Sequence, residues 1–341
     1  MFANLGAPPG APQLHRWADW AELIAFTSAE FAISVSEFAE ATERTLDTIA
    51  EEGTVDQDPA ESGDVEELAP LVGDAAKFRD AARQRSADIF DYLRDRAYRY
   101  GAKYPFAVDE ASKSIELRDR DETRDAYLFL LSCSTFRYLK QKTVQSDLAN
   151  RFEVFAEAAL WSMVPATATV ERFGPRAEPG ARYSGTLKTK IETLAADLGE
   201  TALVTDGDFE KNDRGDGGLD LVAWADPGDT LAGRSLIFAQ VAATPGWISK
   251  QHSSGSNAWT QNLTLKSHPQ NVVFIPFDYR SPGHKWYAPR HIQNSILMDR
   301  QRILNAVFDS ANNPTKHWVH RAARVNVSEV GDAAGQSLAD I

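Results

Sequence analysis

Gly215-Asp216-Gly217-Gly218-Leu219-Asp220-Leu221-Val222-Ala223-Trp224 is the stretch that decides how this chain is read. Its glycines allow a tight turn and positive φ, and the apolar run behind them predicts a buried strand with Asp220 at its start. A second apolar run, Leu236-Ile237-Phe238-Ala239-Gln240-Val241-Ala242, follows closely and carries one polar residue, Gln240. Two adjacent strands that each place an oxygen at the same edge can hold a divalent cation. Mg²⁺, with Mn²⁺ as its substitute, suits such a site because it binds through one or two carboxylates and keeps several waters. Asp220 is the first expected ligand. Gln240 offers a side-chain carbonyl and Val241 a backbone carbonyl. Glu153 or Glu157, one turn apart on the preceding helical stretch, completes the set; the sequence does not say which of the two.

Outward from this centre, residues 148–161 read as an amphipathic helix and 168–173 alternate like a strand. A Gly/Pro-rich loop is expected at 174–183, a helix at 186–198 and an Asp/Gly/Asn-rich loop at 205–218. Beyond the two central strands come a helix at 248–263, a buried strand at 271–277 and a last helix at 291–308. This mixed order predicts an α/β sheet with helices on both faces. The first 145 residues read as a mainly helical, acidic domain. Its helices are expected at 17–50, 75–100 and 123–143, with a short extended piece near Tyr104-Pro105-Phe106 and a strand at 114–117. Residues 51–64 are acidic, without a basic residue and broken by Gly and Pro, which predicts an exposed or disordered loop. Residues 326–341 read as a flexible acidic tail.

The 341 residues suffice for two ordinary domains, and 43% hydrophobic with 25% charged residues is the balance of a globular protein. No apolar run reaches the length of a membrane span, and the start lacks the layout of a signal peptide, so no membrane association and a cytoplasmic residence are expected. The single cysteine, Cys133, excludes an internal disulfide and a cysteine zinc cluster. Net charge is −13, which by itself argues against non-specific nucleic-acid binding. The charge is uneven, however: residues 231–325 hold eleven Lys or Arg against three acids. A basic lobe beside an acidic one suits a polyanion-binding domain next to a protein-contacting or regulatory one. Lys250, His252, Lys266, Arg280 and Lys285 are its expected phosphate contacts. A scattered, solvated set of basic residues is the simpler alternative.

The order of a helix bearing Phe152-Glu153, a strand, Asp216-Gly217-Gly218-Leu219-Asp220 and a strand carrying Gln240 resembles the PD-(D/E)XK nuclease superfamily, and within it the Mrr-like restriction endonucleases. The resemblance covers roughly residues 148–280. It implies a restriction-endonuclease-like fold over 146–325 and a Mg²⁺-dependent enzyme cleaving DNA phosphodiesters, in prokaryotic defence against foreign DNA. By that resemblance Asp220, Gln240 and Glu153 are catalytic, and Glu153 is favoured over Glu157. The helical N-terminal domain would hold a protein partner or an oligomer contact. The family places a lysine two residues after the Glu/Gln; here that position is Ala242. Either Lys250, opening the next helical stretch, takes the lysine's role, or catalysis is lost and a nuclease-like fold binds nucleic acid or protein in a larger complex.

Simpler roles stand beside these. Asp216 reads better as a turn residue than as a ligand, Gln240 can be a satisfied core amide, and Trp247 and Trp259 read better as packing than as base-stacking residues. There is no P-loop, dinucleotide fingerprint, His-Glu-x-x-His or nucleophile elbow.

Overall fold

The computed structural model describes residues 9, 13–52, 75–139, 141–174, 181–210 and 212–309. The acidic loop from 53 onward, the centre of the 174–183 loop and the 326–341 tail therefore lie outside the described residues. In chain order these residues form α1 (Leu14–Thr27), β1 (Ala32–Ser34), α2 (Val35–Glu52), α3 (Ala75–Tyr100), β2 (Phe106–Asp109), β3 (Ser114–Leu117) and α4 (Glu122–Ser134). There follow α5 (Lys142–Trp161), β4 (Ala168–Arg172), α6 (Leu187–Leu198), β5 (Leu221–Ala225), β6 (Ser235–Val241), α7 (Trp247–Lys250) and α8 (Ser256–Trp259). The chain continues with β7 (Gln270–Phe274), β8 (Arg280–Ser281), β9 (Lys285–Trp286), β10 (Ile296–Met298) and α9 (Arg300–Phe308). The fold is mixed α/β, and among the described residues no helix is long and apolar enough to cross a membrane.

The chain divides into two compact units. Among the described residues, one comprises those up to Ser146 together with Phe277–Tyr287; the other comprises those from Asp147 to Pro276 and from Ala288 onward. The first is helical around a three-stranded antiparallel sheet of order β1-β3-β2. The expected single helix over 17–50 is interrupted. Ser28 leaves the helical conformation, its hydroxyl lies 3.0 Å from the Ala25 carbonyl and 3.0 Å from the Ala32 N–H, and Phe31 takes φ 52°. A capping box restarts the helix: Glu37 accepts from the Ser34 N–H at 2.8 Å, and Ser34 Oγ accepts from the Glu37 N–H at 3.2 Å. The expected helix over 123–143 likewise ends at Ser134, followed by a 3₁₀ turn at Phe136–Tyr138.

The core of this unit combines aromatic packing with a buried charge network. Trp17 and Trp20 meet edge to face, with Phe38 4.9 Å from Trp20 between ring centroids. Beside them Arg96, wholly buried, donates to Asp19 and Glu22 at 2.8 Å and to Asp278 at 2.9 Å. Arg99 adds two bonds to Asp278 at 2.8 and 3.1 Å, and the hydroxyls of Tyr92 and Tyr100 also donate to that carboxylate. Tyr104 and Tyr127 donate to Glu22. Asp278 thus ties the 277–287 segment, with its β8–β9 hairpin, into the helical unit. The segment falls inside the 146–325 span that the sequence reading gives to the C-terminal domain, and it packs with the helical unit.

The second unit is built on a five-stranded mixed sheet of order β10-β7-β6-β5-β4. β10, β7 and β6 run parallel, while β6–β5 and β5–β4 are antiparallel. Apolar residues of α6, among them Leu187, Ile191, Leu194 and Leu198, pack with Val222, Trp224, Leu236, Phe238 and Trp259. Two expected helices are shorter than the sequence suggested. The 248–263 helix is two single turns, α7 and α8, separated at Gln251–Gly255, where Ser254 and Gln251 bond Asn271 instead of continuing the helix. The 291–308 helix is replaced at its start by β10, an unexpected parallel strand, and α9 begins only after Asp299 caps it by accepting the Arg302 N–H at 3.0 Å.

Removing Arg96 would leave Asp19 and Glu22 buried without their guanidinium. We expect Arg96→Met to lower the unfolding free energy by about 3–5 kcal/mol, read as a lower urea midpoint. A midpoint equal to wild type contradicts a structural role for this network.

Candidate metal site

The register of β5 and β6 sets Leu221 opposite Ala239, which brings Asp220, just before β5, beside Gln240. The approach is built by the glycines. Gly217 and Gly218 have φ 59° and 79°, a region costly for other residues. Asp216 Oδ1 accepts the Gly218 N–H at 2.7 Å, so Asp216 is a turn residue here. The buried Lys190 of α6 donates to the carbonyls of Arg214 and Gly215 at 3.2 and 3.1 Å and closes the loop from below.

Asp220 is almost wholly buried. Its Oδ2 accepts the Val241 N–H at 2.7 Å and the side-chain NH₂ of Gln240. Its backbone carbonyl accepts from Phe173 N–H at 2.7 Å, which fixes the end of β4 to the same edge. The other oxygen, Oδ1, faces Gly174. A Cβ placed on Gly174 would lie 3.7 Å from Asp220 Oδ1 and 3.5 Å from Glu153 Oε2, so both carboxylates converge on the space above a residue with no side chain. Of the two glutamates on α5, Glu153 is therefore the one at the site. Glu157 lies 3.4 Å from Arg172 Nε in an ion pair.

Burial pushes the Asp220 carboxyl up to about 8. The Val241 N–H opposes this, the negative charges of Glu153 and Asp216 add to it, and the Lys250 ammonium opposes it. The arrangement is thus a buried acid beside a second acid, with one lysine near enough to act on its charge. Strand alternation sends the N–H and C=O of one residue to the same side, so the Val241 carbonyl points to the Asp220 edge with its N–H.

Gln240, expected as a ligand, has its carbonyl oxygen accepting from Ser253 Oγ at 2.9 Å and its NH₂ facing Asp220, so in this arrangement its donor end holds the carboxylate. Ala242 is buried, and its N–H donates to the Phe274 carbonyl. Lys250 is exposed at the end of α7. Of the expected phosphate contacts, Lys250, His252 and Lys266 are exposed on the sheet unit, and Arg280 and Lys285 belong to the helical unit. There Arg280 lies 5.1 Å over the Trp286 ring. Trp247 and Trp259 are buried packing residues.

Among the described residues no group of three or more His, Cys, Asp or Glu is arranged to hold a metal ion. Two carboxylates with a backbone carbonyl form a poor zinc set but fit a hard cation that keeps most of its waters. Sequence reasoning missed Gly174, Ser253 and Lys190. Gly174 alone left a trace, as a glycine directly after the alternating strand pattern of 168–173.

Comparison with models of protein families, with curated protein sequences and with solved structures finds no match to this chain.

Two outcomes follow from this geometry. A cation must displace the proton that Asp220 retains below about pH 8, so Mn²⁺ affinity measured by calorimetry should rise with pH and level off above that value. Affinity independent of pH contradicts a ligand role for Asp220. A Cβ on Gly218 would come within 2.4 Å of Ser253 Cβ, and positive φ adds strain. Gly218→Ala should therefore destabilise by about 1–3 kcal/mol in urea unfolding. Wild-type stability would show that the turn is not constrained in this way.

Proposed function

We propose that this chain is a metal-dependent nuclease of the restriction-endonuclease-like fold, cleaving DNA phosphodiester bonds with Mg²⁺ or Mn²⁺, in defence against foreign DNA. The observation that carries the reading is the convergence of Asp220 and Glu153 over Gly174 at the end of two adjacent strands. Asp220 and Glu153 would hold the cation, with the Val241 carbonyl at the same edge. A cation so held supplies charge for the leaving oxygen and lowers the pKa of a bound water. The Val241 N–H and the Gln240 amide fix Asp220 so that one oxygen stays available. Lys250, whose ammonium acts on Asp220, takes the place of the lysine that position 242 lacks. The exposed Lys250, His252 and Lys266 would contact phosphates, so DNA binding should weaken steeply with salt.

The buried alanine at 242 favours a second reading, a nuclease-like protein that binds nucleic acid or a protein partner without cleaving. One assay separates the two. Wild type, Asp220→Ala, Glu153→Ala and Lys250→Ala are incubated with plasmid, linear and single-stranded DNA in Mg²⁺ or Mn²⁺. The nuclease reading expects cleavage by wild type and a drop of at least about 100-fold in each variant. Salt-sensitive DNA binding with no cleavage by wild type supports the second reading. Full activity in Lys250→Ala removes the lysine from the mechanism.

A further inference from the structure

We propose that Ser253 is a positioning residue whose hydroxyl orients the Gln240 amide, so that Asp220 keeps one carboxylate oxygen turned to Glu153. The proposal rests on the metal-site reading above. A primary amide has a donor end and an acceptor end, and only the donor end can face an ionised carboxylate, the form that binds a cation, without repulsion. Ser253 Oγ lies 2.9 Å from Gln240 Oε1 and 2.6 Å from the Lys250 carbonyl, so its single proton is shared between two acceptors. With the Gln240 oxygen occupied by this donor, the NH₂ is left for Asp220 Oδ2, where the Val241 N–H also arrives. Oδ1 is thereby turned to the space above Gly174.

Ser253 is itself held on two further sides. Trp259 Nε1 donates to its carbonyl at 3.0 Å, and the bare Cα of Gly218 packs against its Cβ, where any added side chain would collide at 2.4 Å. The shared bond to the Lys250 carbonyl places the turn that carries Lys250 in the same network as Asp220. Ser253 thus registers the lysine-bearing turn against the carboxylate pair, and the glycine at 218 makes room for it.

Mn²⁺ binding, followed by the electron paramagnetic resonance of free Mn²⁺, tests the relay in wild type, Asp220→Asn, Ser253→Ala, Gln240→Met and the Ser253→Ala/Gln240→Met double variant. Metal-free melting temperatures are recorded alongside. We expect Ser253→Ala to weaken Mn²⁺ binding by about tenfold or more, as changes behind a metal ligand do. The double variant should bind no more weakly than Gln240→Met alone, because both changes cut one chain of bonds. Loss of binding in Asp220→Asn with wild-type affinity in Ser253→Ala overturns the relay alone, as do effects that multiply in the double variant. Failure of wild type to bind Mn²⁺, or equal binding by Asp220→Asn, overturns the metal-site reading and the relay with it. Should Ser253→Ala not fold, Gln240→Met carries the test: unchanged Mn²⁺ affinity in that variant overturns the relay.

Discussion

The hydrogen bond from the Val241 N–H to the Asp220 carboxylate is the interaction on which the sheet unit's site depends. It joins the end of β6 to the residue just before β5, and it sets which carboxylate oxygen is consumed by the fold and which is left over. A carboxylate taken out of water is costly unless its lone pairs are met. Oδ2 is met twice, by backbone and by Gln240. Oδ1 instead faces the space it shares with a second acid. The elevated Asp220 pKa is the mark of that incomplete compensation, and a bound cation would complete it.

The helical unit handles buried acids in the opposite way. Asp19, Glu22 and Asp278 are buried, and each has a guanidinium within 2.9 Å. Tyrosine hydroxyls take up further lone pairs on Glu22 and Asp278. A network satisfied in this manner fixes helices and the 277–287 segment and offers nothing to a ligand. Asp220 instead faces the Glu153 carboxylate, and the positive charge that acts on Asp220 is carried by the exposed Lys250. The contrast between paired and facing acids, more than burial or charge alone, separates scaffold from candidate site.

The central strands, β4, α6 and the placement of Asp220 were legible in the sequence because apolar runs and glycines report local backbone demands directly. The breaks at Ser28–Phe31 and Gln251–Gly255 were not, since side-chain bonds of Ser28, Ser254 and Asn271 outbid an otherwise helical pattern. A signal for the first lay in Ser34-Val35-Ser36-Glu37, a capping box within what read as one helix. The strand β10 was hidden because three apolar residues suit either period. Membership of 277–287 in the helical unit depends on Asp278 meeting Arg96 and Arg99, partners about 180 residues away, which no local pattern reveals. The orientation of Gln240 rests on Ser253 in the same way: the residue type was visible, but which end faces Asp220 was not.

If Asp220 and Glu153 share one cation, as proposed, anomalous diffraction from crystals soaked in Mn²⁺ should show a single peak about 2.0–2.2 Å from a carboxylate oxygen of each residue, with water filling the remaining positions. An anomalous map with no peak between Asp220 and Glu153, at Mn²⁺ concentrations that load other sites on the crystal, would contradict the proposal.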